Sequence, residues 1–303
     1  MNNPDHFPLR ISPGTQVVVR PRGTGVVVEV LDTDPITYLV RFPAGDDTVV
    51  RRDQLAIRKQ AQRASLGPSR DTAAVMDELL DGWVIYRCVT GSQAYGLAGD
   101  DSDLDVRGVF LAPPELLWSL QGAPDYLERG AMDEAYWELA KFCVLALKAN
   151  PNVLECLNTP LVRHVTPIGE ELLALRDAFL SRLVHQTYNG YVLSQFKKLE
   201  GDLRSKGAPK WKHVMHLIRL LLSGISVLRD GTLTLDVGEH RDRLLAIKRG
   251  DVPWAELEEW RLALHGEFDA ALAASPLPEL PDYQRVDRFV IDVRRRTAAG
   301  ERP

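Results

Sequence analysis

Residues 83–111 read WVIYRCVTGSQAYGLAGDDSDLDVRGVFL, and this stretch decides the α/β part of the fold. Its first part, Trp83–Val89, is a nearly continuous apolar run, which is typical of a strand covered on both faces. Gly91-Ser92 follows almost at once, and after a glycine-rich segment Leu104–Leu111 predicts a second strand. The order of strand, Gly-Ser turn and strand predicts one site, built from the turn and the start of the second strand.

Two aspartates stand at the start of that second strand. Asp103 and Asp105 are two residues apart, so on a strand both side chains project from one face, while Leu104 turns the other way into a core. Two carboxylates that face one point are suited to a hard divalent cation such as Mg²⁺, which also binds substrate phosphates. With two ions bound, one activates an attacking hydroxyl and both stabilise charge on a leaving pyrophosphate.

The Gly-Ser turn predicts a phosphate site. Gly91 lets a phosphate approach the backbone closely, and exposed amides at the start of a helix bind anions. Ser92 adds a hydroxyl that can donate to a terminal phosphate oxygen. Neither Gly-Ser nor Asp-x-Asp is specific alone, but their order around two strands is much less common.

These motifs carry a family resemblance. Gly91-Ser92 followed by Asp103-x-Asp105 resembles the nucleotidyltransferase superfamily that includes DNA polymerase β. The fuller segment GSQAYGLAGDDSDLDVRGVF resembles a narrower branch, the predicted nucleotidyltransferases of the RNA repair pathway DNA polymerase β family. KANPNVLE at 148–155 and KHVMHLIRLL at 212–221 resemble two further segments of that branch. The resemblance covers residues 71–295 and leaves the amino-terminal part outside it.

The resemblance implies that a nucleoside monophosphate passes from an NTP to an acceptor hydroxyl, with release of pyrophosphate. It implies that Asp103 and Asp105 bind Mg²⁺ (or Mn²⁺) and that Gly91 and Ser92 hold the triphosphate. The acceptor is then an RNA end, another nucleic acid, a protein or a small molecule.

A third carboxylate on a neighbouring strand normally helps to deprotonate the acceptor in this superfamily. Asp133 is the first choice for this catalytic and metal-binding role, Glu138 is the alternative, and Glu134 is the third choice. All three also fit the description of ordinary surface acids.

Several other polar residues are candidates for the site, and each of them has two interpretations that the sequence leaves open. Arg107 either contacts phosphate or pairs with a catalytic aspartate. The helix predicted over 210–228 has an apolar stripe and an opposite polar stripe, which either faces water or receives the nucleotide. That polar stripe consists of Lys212, His216, Arg219 and Ser223. Asn152 and Glu155 either line the cleft or follow a helix-ending turn at Asn150-Pro151.

The sequence predicts an α+β protein of three parts. Residues 1–63 contain short β-branched runs separated by turns, which predict a small SH3-like or KOW-like β-barrel that binds a protein or nucleic acid. Residues 71–160 are predicted to form the nucleotidyltransferase α/β domain, with a short mixed sheet. Residues 161–303 are predicted to form a helical substrate-binding domain, with helices over 169–183, 184–199, 210–228, 241–249, 252–272 and 283–295.

The composition of the chain predicts the location of the protein in the cell and limits its partners. The chain is 45% hydrophobic and 26% charged, which is ordinary for a globular protein, and it has no apolar run of the ~20 residues that a membrane span needs. Its start does not resemble a signal peptide. Three cysteines without metal-ligand spacing predict reduced thiols and a cytoplasmic protein. The net charge is −5, of which residues 1–63 contribute +2 and the rest −7, and this acidic part argues against strong, sequence-blind binding to a nucleic-acid backbone.

Two alternatives to an enzyme remain open. The chain could be a non-catalytic regulatory protein that binds a nucleotide or nucleic acid on a nucleotidyltransferase scaffold, or an adaptor whose barrel directs the acidic body to a nucleoprotein. The intact Gly-Ser turn and both aspartates favour the enzyme. Other chemistries find little support, because the sequence contains no GxxxxGK[ST], HExxH or GxSxG motif.

Overall fold

The structure is a computed structural model, and it describes residues 11, 15–19, 22–31, 36–43, 46–51, 54–57, 72–99, 102–120, 122–129, 133–206 and 209–303. The chain divides into two compact units, one of residues 1–72 and 118–122, the other of residues 73–117 and 123–303. Both helices and sheets are present, so the predicted α+β class is confirmed. None of the described helices combines the length and apolar character that a membrane span requires.

The first unit contains a five-stranded antiparallel sheet. Its strands are β1 (Gln16–Val19), β2 (Gly23–Leu31), β3 (Thr37–Arg41), β4 (Asp47–Arg51) and β5 (Leu55–Ile57), in the order β4-β3-β2-β1-β5. Alternate residues such as Val17, Val40 and Val50 are buried on one face. Within the described residues β4 and β5 do not pair, so the sheet is not seen to close. The SH3-like barrel stays a prediction.

The second unit contains a mixed sheet, as predicted, but two of its five strands, at 126–129 and 162–165, were not expected from the sequence. Its strands are β6 (Val84–Thr90), β7 (Asp105–Phe110), β8 (Tyr126–Arg129), β9 (Glu134–Glu138) and β10 (Val162–Val165), in the order β10-β6-β7-β9-β8. Only the β7–β9 pair is parallel among these ladders, as far as the structure describes them. The apolar run in β6 is buried on both faces, which agrees with its place beside β7 and β10.

Helices make up most of the rest of the second unit. They are α1 (Thr72–Gly82), α2 (Gly91–Ala94), α3 (Pro114–Trp118), α4 (Leu139–Leu147), α5 (Pro151–Asn158), α6 (Pro167–Ala174), α7 (Leu183–Lys206), α8 (Trp211–Asp230), α9 (Arg241–Arg249), α10 (Trp254–Ala273) and α11 (Tyr283–Ala298). The central helix α8 packs against α7, α9 and α10. One apolar cluster extends from Ile85 in the sheet to Val293 in α11. The predicted boundary at residues 160–161 between a catalytic and a helical domain stays a prediction.

One local prediction needs correction, and the structure adds to a second one. The helix predicted over 169–183 ends at Ala174, and a 3₁₀ turn at Arg176–Phe179 follows, because Phe179 and Leu180 are drawn into the core. Asn150-Pro151 follows the end of α4, as one interpretation expected, and it also begins α5. Asn150 is the N-cap of α5, because its side chain accepts a hydrogen bond from the Val153 amide at 3.3 Å.

Candidate active site

A cavity of about 720 Å³ opens in the second unit between the sheet and helices α5, α7, α8 and α9. Its volume lies in the range of ~300–1,000 Å³ that is usual for ligand pockets. All of the leading site residues from the sequence line it, namely Gly91, Ser92, Asp103, Asp105, Arg107, Asp133, Lys212, His216 and Arg219. The fold therefore brings together segments that are more than a hundred residues apart in the chain.

The turn after β6 is built around a glycine. Gly91 has a φ of +71°, and a Cβ placed there would lie 2.7 Å from the Asp105 Cγ atom. Pairing of Thr90 with Asp105 across β6 and β7 sets this close approach. Because α2 has only four residues, any anion binding at the turn would depend on its amides and the Ser92 hydroxyl rather than on a long helix dipole.

Two acids are neighbours where two adjacent strands begin, Asp105 at the first residue of β7 and Asp133 just before β9. Val106 pairs with Glu134 in the parallel β7–β9 ladder, so Asp105 and Asp133, each one residue earlier, lie side by side. Arg107 bridges them, since its Nη2 atom donates to Asp105 Oδ1 at 3.3 Å and to Asp133 Oδ1 at 3.2 Å. Its Nη1 atom also donates to the Asp133 carbonyl at 2.7 Å. The structure thus shows Arg107 paired with the acids, one of its two predicted roles.

The other two choices for a third acid lie elsewhere. Glu138 caps α4 by accepting from the Ala140 amide at 2.8 Å, and it pairs with Phe110 at the opposite end of β7 from Asp105. Glu134 accepts from the Tyr136 hydroxyl at 3.1 Å, on the face of β9 opposite Ala135 and Trp137, which line the cavity. Neither of these glutamates is among the described residues that line the cavity.

The position of Leu104 corrects one expectation. Leu104 is 41% exposed rather than packed in a core. The reason is that β7 begins at Asp105, so Leu104 and Asp103 precede the strand and strict alternation does not extend to them. Asp103 is exposed and lines the cavity.

Burial and neighbouring charges shift the pKa of two groups in the cavity. Burial raises the pKa of Asp105 to about 6, with Arg107 opposing the shift and Asp133 adding to it. Burial lowers the pKa of His216 to about 3, and nearby Arg219 and Lys212 lower it further. His216 is therefore neutral at pH 7.

The polar stripe of α8 does not face water along its length. Arg219 and Ser223 are each 6% exposed, while Lys212 is exposed at the mouth of the cavity. Arg219 forms an ion pair with Glu155 of α5, with 2.8 Å between Nη1 and Oε1. The interpretation of the whole stripe as a solvent-facing surface is wrong, because α8 is the central helix of its layer.

Sequence reasoning missed several residues that line the cavity. Lys248 comes from the last turn of α9, Tyr191 from α7, and Tyr126 and Trp137 from β8 and β9. The rings of Tyr126 and Trp137 have centroids 5.7 Å apart. No local motif marks these positions, since only the packing of helices on the sheet brings them to the cavity.

The acids fit a hard divalent cation by their chemistry. Asp103, Asp105 and Asp133 offer carboxylate oxygens to one cavity, and the raised pKa of Asp105 reflects a buried negative charge that a cation would stabilise. Arg107 supplies part of that compensation. In the described residues, no three or more His, Cys, Asp or Glu side chains already converge as a metal site.

Comparison with known proteins gives two matches. The profile of the family described as "RNA repair pathway DNA polymerase beta family" matches residues 58–292. The chain is also similar to the "Uncharacterized protein YcgL" of Bacillus subtilis (strain 168), with 34% identity over 101 residues. That alignment covers 32% of this chain and 39% of YcgL, so it spans well under two thirds of the relative.

Proposed function

The chain belongs to the RNA repair pathway DNA polymerase beta family, and from this premise we propose that it is a metal-dependent nucleotidyltransferase. It transfers a nucleoside monophosphate from an NTP to an acceptor hydroxyl and releases pyrophosphate. The observation that carries the proposal is the meeting of the Gly91 turn, Asp105 and Asp133 in one cavity. The family description favours an RNA end as the acceptor.

In this proposal the acids have distinct tasks. Asp103, Asp105 and Asp133 hold Mg²⁺ or Mn²⁺, and Asp133 also receives the proton of the acceptor hydroxyl. The acceptor oxygen then forms a bond to the α-phosphorus while the bond to the pyrophosphate oxygen breaks. Bound metal supplies positive charge that activates the hydroxyl and stabilises the leaving pyrophosphate.

The remaining cavity residues would bind and orient the NTP. The Gly91 turn gives a phosphate room against the backbone, and Ser92 donates its hydroxyl to a phosphate oxygen. Lys212 adds positive charge at the mouth of the cavity. Neutral His216 is suited to hydrogen bonding with the ribose or base rather than to a charge interaction with phosphate.

The Arg107 bridge supports one competing function. With a guanidinium between Asp105 and Asp133, the two acids are partly neutralised without metal, as a non-catalytic nucleotide- or nucleic-acid-binding scaffold would allow. The two functions differ in metal dependence. Under the enzymatic proposal, Arg107 orients Asp105 and Asp133 for the metal that they would hold.

Calorimetry and pyrophosphate release together test the proposal. Each of the four NTPs would be titrated into the protein with Mg²⁺, with Mn²⁺ and with EDTA, and pyrophosphate would then be measured with mixed RNA present. We expect metal-dependent binding and turnover that the Asp103→Asn/Asp105→Asn double variant loses. Asp287→Asn, at an exposed position of α11, is the matched control and should keep both. Metal-independent NTP binding without turnover would instead support the scaffold.

A further inference from the structure

At the wall of the cavity, three lining side chains from different elements form a buried polar cluster. Glu155 of α5 is 3% exposed, and its Oε2 atom accepts a hydrogen bond from the Tyr95 hydroxyl at 2.5 Å. Its Oε1 atom lies 2.8 Å from Nη1 of Arg219 on α8. The Arg219 guanidinium in turn lies over the Tyr95 ring, 3.7 Å from the ring centroid. Each member therefore contacts both of the others.

Tyr95 connects this cluster to the Gly91-Ser92 turn. Its amide donates to the Gly91 carbonyl at 3.1 Å, and the Leu97 amide donates to the Ser92 carbonyl at 2.9 Å. The Tyr95 carbonyl accepts from the Val237 amide at 3.1 Å, which holds the far side of the same segment. The backbone that carries the Tyr95 side chain is therefore hydrogen-bonded directly to the Gly91-Ser92 turn.

Arg219 connects the cluster to the opposite wall of the cavity. It lies on α8, three residues after His216 and seven after Lys212, so all three are near one face of the helix. The His216 ring is 6.3 Å from the Tyr95 ring, centroid to centroid. The cluster thus spans the distance between the turn at the end of the sheet and the helix that faces it.

This cluster is a poor way to gain stability alone. Buried ion pairs lose hydration, and apolar residues of similar size are often as stabilising. In the described residues, Glu155 Oε1 and the Nε and Nη1 atoms of Arg219 lack a well-directed hydrogen bond, so the cost is not fully recovered. Unlike apolar side chains, these three polar side chains make directional contacts that connect the Gly91-Ser92 turn to α8.

We propose that Glu155 is a positioning residue, which acts through Tyr95 and Arg219 to fix the Gly91-Ser92 turn relative to the α8 wall of the cavity. The inference rests on the proposed nucleotidyl transfer and deepens it. Arg219, which also lines the cavity, then acts through its contacts with Glu155 and Tyr95. Because reacting groups misplaced by ~1 Å can lose about 100-fold in rate, loosening the cluster should lower kcat more than it raises the KM for NTP.

Two variants test the inference without leaving a lone buried charge. Tyr95→Phe removes one hydroxyl, and Glu155→Leu/Arg219→Met replaces the ion pair by apolar side chains. The matched control is Tyr38→Phe in the first unit, because Tyr38 is fully buried and its hydroxyl has no hydrogen-bond partner among the described residues. We expect both test variants to unfold within a few degrees of wild type, with kcat reduced at least about tenfold, while Tyr38→Phe keeps wild-type kcat.

Amide hydrogen exchange gives a readout that does not depend on turnover. The amides of Tyr95 and Leu97 should exchange about tenfold faster in both test variants than in wild type and in Tyr38→Phe. Unchanged exchange and unchanged kcat would overturn the positioning role. If the wild type showed no turnover, the proposed function would fail, and the exchange rates would still decide whether the cluster fixes the turn.

Discussion

The carboxylate of Asp105 lies directly against the Cα atom of Gly91. A Cβ on Gly91 would overlap Asp105 Oδ2 and would lie 2.7 Å from Cγ. Gly91 also has a φ of +71°, a backbone conformation that residues with side chains rarely adopt. Two independent constraints therefore exclude a side chain at position 91, and they join the turn to the acid that faces it.

Gly91→Ala should destabilise the protein and abolish turnover. The positive φ costs ~1–2 kcal/mol and the overlap with Asp105 adds ~1–3 kcal/mol, so we expect a total near 3 kcal/mol by chemical denaturation. Gly231→Ala is the control, because Gly231 has a φ of +70° but a Cβ there would lie 3.8 Å from its nearest neighbour, Leu277 Cδ2. Equal losses in the two variants would contradict the close contact with Asp105.

Asp105→Asn should stabilise the metal-free protein at neutral pH. The folded-state pKa of about 6 lies above the ordinary 3.8, so as pH rises from 4 the unfolded chain loses this proton first and stability falls. Above pH 6 the ionised carboxylate costs about 1 kcal/mol after allowance for solvent screening. Denaturation in EDTA should show the variant more stable near pH 7.5, with the difference vanishing near pH 4. If the wild type were more stable than Asp105→Asn at pH 7.5, the predicted direction of the stability change would be wrong.

His216 should remain neutral across the physiological range. Burial and neighbouring cations lower its pKa to about 3, so its ring resonances should not titrate between about pH 5 and 8 in the folded protein, whereas they should in urea. His216→Gln keeps a neutral hydrogen-bonding side chain, and we expect NTP affinity to have the same pH dependence as in wild type. A folded-state NMR titration midpoint near 6.5 would contradict this expectation.

Lys212 and Lys248 should both contribute to NTP binding. Both line the cavity, and both lie close enough to His216 to lower its pKa. We expect Lys212→Ala and Lys248→Ala each to raise the Kd for NTP about tenfold, or ~1.4 kcal/mol, with less effect at high salt. Lys210→Ala is the control, since Lys210 is exposed just before α8 and is not among the described cavity residues. Equal losses in all three variants would indicate a general charge effect instead.

The parts of the site that follow from local chemistry could be predicted from the sequence. The apolar run of β6 and the Gly-Ser turn locate Gly91, and the family resemblance led to Asp133 as the proposed third acid. Its place beside Asp105 depends on the parallel pairing of β7 with β9, which the sequence alone does not give. The prediction that Leu104 packs in a core is wrong, because β7 begins at Asp105, one residue later than the apolar pattern of the sequence predicts.

Contacts that join distant segments could not be predicted in the same way. Glu155 and Arg219 are 64 residues apart, and nothing in either segment specifies that they form a pair. The polar stripe of α8 has the same periodicity whether it faces water or a cavity, so only tertiary packing decides its environment. Lys248 reaches the cavity for the same reason, through the packing of α9 on α8.

The most direct test of the central claim follows two labels of the same NTP. The protein would be incubated with Mg²⁺ or Mn²⁺, RNA and an NTP labelled at either the α- or the γ-phosphate. Nucleotidyl transfer predicts that the α label joins the acceptor and the γ label leaves as pyrophosphate, both absent in Asp103→Asn/Asp105→Asn. Transfer of the γ label to the acceptor, or label transfer that persists in the double variant, would contradict it.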